Sequence, residues 1–179
     1  MKRIKILIMV ISGILLLLLA ACSLQKGTEG GDGTAGGEEI VNPMEEVKDI
    51  TELQDKMSFM MLALPAYYGE EDSRYYIVGK TLAMIQCRVA DHEVEIRQQK
   101  GSGDITGIYQ MTYQDAVYEG IAYHYGAGED FHAAWWENGG YSYSVMVTNI
   151  SEQDFISEYA ETLVSQSVFN RDYETQNVQ

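Results

Sequence analysis

The chain has 179 residues, 46% of them hydrophobic, and 27 Asp and Glu against 12 Lys and Arg, for a formal charge of −15 at pH 7. The length past the N-terminal segment suits one domain of ordinary size. The charge speaks against nucleic-acid binding, in which cationic side chains replace the counterions of the phosphates.

The chain opens on Met1-Lys2-Arg3-Ile4-Lys5 and continues with 16 residues, Ile6 to Ala21, interrupted only by Ser12 and Gly13. A basic start, a short apolar middle and a small-residue exit describe a secretory signal peptide over residues 1–21. The apolar stretch is shorter than the roughly 20 residues that span a bilayer as a helix, which sets the alternative of an uncleaved spanning anchor behind. Leu19-Ala20-Ala21-Cys22 resembles the lipobox of bacterial lipoproteins, in which Cys22 becomes the first residue and its thiol carries a diacylglycerol. This predicts a membrane partner through an N-terminal lipid and a domain outside the cytoplasm, at the outer face of the cell membrane. Removing residues 1–21 takes away three basic residues and no acid, so the mature surface is more acidic still.

Residues 22–41 are the lipidated cysteine and its tether. Six glycines among Thr, Asp and Glu in 25–39 cannot bury enough apolar surface to fold. By the flexible-linker rule the segment reaches roughly 23 to 25 Å. Residues 42–168 form the predicted domain. Thr51-Glu52-Leu53-Gln54 fits a capping box, and Leu53, Met57, Met60 and Met61 fall near one helical face, with Pro65 as the stop. Soft-metal binding by these methionines is the sharper reading, and their helical spacing favours core.

Strands follow. Thr81, Ala83, Ile85, Cys87 and Val89 alternate with Leu82, Met84, Gln86 and Arg88, and His92-to-Gln99 alternates Val94 and Ile96 with Glu93, Glu95, Arg97 and Gln99. Such alternation marks half-buried antiparallel strands, with Asp91-His92 as the turn between them. The one cysteine after Cys22, Cys87, cannot form an internal disulfide and reads as a buried small hydrophobe. Lys100-Gly101-Ser102-Gly103-Asp104 is a loop without the pattern of a phosphate cradle. One or two strands are expected around Val117 to Tyr125. In Phe131 to Val147, Asn138-Gly139 suits a type I′ hairpin turn, with Phe131, Ala133 and Trp135 on one arm and Tyr141, Tyr143, Val145 and Val147 on the other. Ser151 is the predicted N-cap of a last helix, whose apolar stripe is Phe155, Ile156, Tyr159, Leu163 and Val164. Residues 169–179 are a polar tail. The order predicts an α+β fold: a single curved antiparallel sheet of about five to seven strands with an N-terminal and a C-terminal helix packed on one face.

The pieces NPMEEVKDITELQDKMSF (42–59), LPAYY (64–68), EVEIRQQKGSGDITGIY (93–109), AAWWENGGYSYSV (133–145) and the closing SEQDFISEYAETLVSQ together resemble a bacterial domain of unknown function. It forms the extracytoplasmic C-terminus of Gram-positive anti-sigma factors and also occurs in stand-alone lipoproteins. The resemblance implies sensing or binding at the outer face of the membrane and carries no catalytic residue. The chain departs from the anti-sigma arrangement in lacking a cytoplasmic sigma-binding segment and in having a lipid anchor in place of a spanning helix.

No catalytic set emerges from the residues themselves. Glu129, Asp130 and His132 match no strong zinc spacing, and Asp91-His92-Glu93 sits at a predicted turn. No GxSxG elbow is present, and no metal or cofactor is expected. Thirteen tyrosines and two tryptophans carry more weight. Alternation spreads them over both sheet faces, either as core with hydroxyls at the rim or as an aromatic face for a ligand. Candidate binding residues are Tyr109, Tyr123, Tyr125, Trp135, Trp136, Tyr141 and Tyr143. The expected function is a non-enzymatic sensory or binding module for an envelope protein or small ligand; the alternative is a carrier for an apolar envelope ligand.

Overall fold

In a computed structural model the described residues are 44–168. The expected signal peptide, the expected lipidation site Cys22, the expected tether and the expected polar tail lie outside them. Among the described residues, eight strands form one open antiparallel sheet: β1 (Met44–Val47), β2 (Glu71–Val78), β3 (Leu82–Val89), β4 (His92–Lys100), β5 (Gln114–Tyr118), β6 (Ile121–Ala127), β7 (Phe131–Asn138) and β8 (Tyr141–Thr148), in the order β1-β2-β3-β4-β8-β7-β6-β5. Two four-stranded meanders therefore meet at the β4–β8 pair, where Ile96 lies opposite Val145 and Val94 opposite Val147. The expected five to seven strands become eight. β1 was missed because four residues are too few to display an alternation.

Turn chemistry sets the registers. The β7–β8 turn is Gly139-Gly140, both at positive φ, with Asn138 opposite Tyr141. The expected Asn138-Gly139 turn is thus displaced by one residue, because two consecutive glycines take the left-handed pair of positions at less cost than asparagine and glycine. The β3–β4 turn is likewise Ala90-Asp91, and His92 belongs to β4 opposite Val89.

One sheet face is the core. Ala83, Ile85, Val94, Ile96, Val145 and Trp136 lie on it and are almost fully buried. Three segments cover it. Helix α1 (Ile50–Met57) buries Leu53 beside β1 and β2. Its cap is Asp49, whose carboxylate accepts the Glu52 N–H, while Glu52 accepts the Lys48 N–H. Asp49 competes better than Thr51 for the cap because its carboxylate also meets the positive end of the helix dipole. Those hydrogen bonds lower the pKa of both carboxyls.

The helix stops at Ser58, which is left-handed at φ 56, so Met60 and Met61 are not on it. They lie on a strap outside any helix or strand that buries Phe59, Met61, Leu62 and Leu64 and leaves Met60, expected in the core, 40% exposed. The third cover is a helix over residues 152–168, α2, capped by Ser151, whose hydroxyl accepts the Asp154 N–H. It passes through a π-helical segment, Phe155–Ala160. The predicted stripe is its buried face, with Phe155, Leu163 and Val164 fully enclosed.

Candidate functional site

The opposite sheet face is where polar and aromatic side chains meet. Pairing places Arg97 opposite Ser144, Ser144 opposite Trp135, Trp135 opposite His124 and His124 opposite Asp115, in one row across β4, β8, β7, β6 and β5. The His124 ring stacks on Trp135 with centroids 4.2 Å apart, and its Nδ1 lies 2.7 Å from Asp115 Oδ1. Tyr113 meets Trp135 edge-on at 6.4 Å.

Over the middle of this row folds the segment 101–113. Arg97 donates from Nη1 to the Ile105 carbonyl, and Glu137 accepts the Gly103 N–H at 2.7 Å. Asp104, Thr106 and Tyr113 close the segment on itself: the Thr106 hydroxyl donates to Asp104 at 2.7 Å, and Tyr113 donates to the other Asp104 oxygen at 3.1 Å. Glycines on both sides of the contact make room, Gly126 on β6 and Gly107 on the segment. A Cβ at Gly126 would sit 2.6 Å from the Thr112 carbonyl, and one at Gly107, where φ is +71, would sit 2.5 Å from Arg97 Nη1. Ile105 and Thr106 are thereby buried although they belong to no regular element.

Where the segment ends, an open cleft of about 550 Å³ begins. Trp135, His124, Ala122 and Glu137 line it from the outer face, Glu119 and Gly120 from the β5–β6 turn, and Ile121, Asn138 and Val168 of α2 where it runs round the end of the sheet. The indole Nε1 of Trp135 is buried without a hydrogen-bond partner, and such a donor is costly to leave unsatisfied. Two carboxylates, an aromatic stack and a donor in need of an acceptor suit recognition of a polar or cationic group.

The chemistry available is that of neutral hydroxyls and an inert thiol. Burial raises the Tyr113 pKa, with Asp104 acting in the same sense against the Thr106 hydrogen bond. Burial also pushes Cys87 up to about 12, far from the thiolate a nucleophile needs. Among the described residues no group of three His, Cys, Asp or Glu side chains is placed to hold a metal ion.

The structure scatters the seven candidate aromatics. Trp136, Tyr143 and Tyr123 are in the core under α2 and its flank, at 0%, 1% and 2% exposure, so these three form no ligand face. Trp136 and Tyr143 stack at 5.4 Å, and the indole N–H of Trp136 donates to Ser167. Tyr125 and Tyr141 are half-buried at the border of the core. Only Trp135 is in the outer-face row. Tyr109 is 93% exposed, on the covering segment rather than on a strand. The reason is parity: Trp135 and Trp136 are neighbours in the chain and point to opposite faces. Asp115, Tyr113, Glu119 and Glu137 were not singled out from the sequence. A usable signal was Tyr118-Glu119-Gly120-Ile121, whose Glu-Gly pair at positive φ makes a two-residue turn and would have aligned Asp115 with His124.

Comparison of the chain with protein-family models, with curated proteins and with solved structures finds no match in any of the three.

Proposed function

We propose that the protein is a lipoprotein held at the outer face of the cell membrane through acylated Cys22, with a folded domain that serves as a non-enzymatic binding or sensory module. The N-terminal Leu19-Ala20-Ala21-Cys22 and the glycine-rich residues after it support the anchoring, and the resemblance to anti-sigma-factor C-terminal domains supports sensing. The observation that carries the binding reading is the contrast between the two sheet faces. One is packed shut by α1, the strap and α2, whereas beside the His124–Trp135 stack of the other an open cleft begins and runs round the end of the sheet to Val168. An open polar cleft receives part of a partner, whereas a carrier of an apolar ligand needs an enclosed apolar cavity.

Two measurements test it. Metabolic labelling of cells with an alkyne fatty acid should tag the chain, and Cys22→Ser should abolish the tag and release the protein from the membrane fraction. A photo-crosslinking residue at Ala122, in the cleft, should capture a discrete envelope component in intact cells. Uptake of a hydrophobic dye by the folded protein, with no capture from position 122, would overturn the binding reading in favour of the carrier.

A further inference from the structure

The two edges of the sheet are unlike. Strand β1 lies beside α1, and its Glu45 is tied to Lys56 of that helix at 2.8 Å; a covering helix is an ordinary protection of an edge. Strand β5 has no proline and no helix tied across it, carries one charged residue, Asp115, and pairs in unbroken register with β6 alone among the described residues. Its closing pair, Tyr118 opposite Ile121, flanks a two-residue turn and is therefore hydrogen-bonded. Alternation then turns the backbone N–H and C=O of Asp115 and Val117 outward, and the Val117 side chain is 70% exposed.

Charge says what fits there. From residue 101 to residue 170 the chain has ten Asp and Glu and not one Lys or Arg. Every strand from β5 to β8, and all of α2, falls in that stretch. On β5 itself the Asp115 carboxylate is largely exposed, and Glu119, in the turn just after the strand, stands on the rim of the cleft.

We propose that β5 is an acceptor edge for an extended, basic segment of a partner protein, which adds as a ninth strand. Its backbone pairs with Asp115 and Val117, and its Lys or Arg side chains lie along Asp115 and Glu119 toward the cleft. Strand addition of this kind draws affinity from main-chain hydrogen bonds and specificity from alternate side chains. A second copy is the poorer occupant, because two β5 edges would bring two surfaces without Lys or Arg together. The inference rests on reading the domain as a binding module and not on its anchoring.

The test uses the full chain in detergent micelles and a capped peptide, Thr-Lys-Val-Lys-Val-Lys-Thr, against the same peptide with Glu for Lys. The basic peptide should slow amide exchange at Asp115 and Val117, and its affinity should fall with salt. The acidic peptide should bind at least about tenfold more weakly, since like charges face each other. Val117→Pro removes an outward N–H that an edge strand can spare, so it should abolish peptide binding while near-ultraviolet circular dichroism stays unchanged. Equal binding of both peptides, protection elsewhere, or binding that survives Val117→Pro overturns the proposal. So does a peptide-free dimer protected at the same two amides. Partner capture from Ala122 in cells, with no uptake of the peptide, would sink this inference and leave the binding-module reading standing.

Discussion

The side chain of Gln98 accepts the backbone N–H of Leu62 at 2.7 Å. The same amide donates to the Met60 carbonyl at 3.0 Å, so one buried glutamine on β4 fastens the strap that closes the core face. The strap belongs to no helix or strand; its backbone groups need partners, and Gln98 supplies two of them. Gln98→Leu fills about the same space and takes away the acceptor of the buried Leu62 N–H. The expected loss is about 1–3 kcal/mol of unfolding free energy, the cost of one buried donor left without its acceptor. Urea unfolding measures it, and a loss under about 1 kcal/mol would show the strap to be held by its apolar side chains alone.

Ser167 performs the same service for Trp136. Its hydroxyl accepts the indole N–H at 3.2 Å and donates to the Val164 carbonyl at 2.7 Å. Ser167→Ala orphans the indole donor in a site with no exposure and should destabilise by about 1–3 kcal/mol. Ser157→Ala, whose hydroxyl is on the exposed side of α2, is the control and should stay within about 0.5 kcal/mol of wild type.

Gly126→Ala tests the segment over the outer face. Its φ is not in the left-handed region, so the substitution acts by contact alone, against the Thr112 carbonyl and the Met111 side chain. The segment should be pushed off the sheet, with about 1–3 kcal/mol of overpacking cost. Chymotryptic cleavage after Tyr109 should accelerate, and the Trp135 emission should shift as Tyr113 leaves it. Unchanged cleavage would mean that the segment accommodates a methyl group in place.

Alkaline pH should unfold the protein from within the core. Burial raises Cys87 from its ordinary 9.0, and Tyr159 from its ordinary 10.0, each to about 12. Raised folded-state values mean that the stabilisation is fully present below the unfolded values and is lost as pH rises through the folded ones. Stability should be level below pH 9 and fall between 9 and about 12. Cys87→Ala should move the onset toward 10, where tyrosine begins to ionise in the unfolded chain. Urea midpoints across this range, with phenolate absorbance as the second probe, report both steps.

Local signals were legible in proportion to their length and punctuation. The alternation of Val94 and Ile96 with Glu93 and Glu95 placed β4, and Ser151 with the stripe Phe155, Tyr159, Leu163 and Val164 placed α2, because cap chemistry and periodicity are properties of neighbours along the chain. The first helix was read past its end: Leu53, Met57, Met60 and Met61 keep a helical spacing, yet Ser58 turns left-handed and the strap is drawn down by Gln98, some 36 residues away in sequence.

The candidate aromatics are dispersed for a related reason. Alternation says that Trp135 and Trp136 face opposite ways, but not which way is in. That depends on which neighbours cover each face, and the cover arrives from both ends of the chain and from the 101–113 segment. Composition, charge and the alternation of single strands were thus open to reading from the residues alone, since each depends on short stretches. The order of the eight strands, the shift of a turn onto Gly139-Gly140 and the row from Arg97 to Asp115 came only with the assembled sheet. A one-residue change of register alters every cross-strand partner, and long-range burial rather than local preference selects among registers.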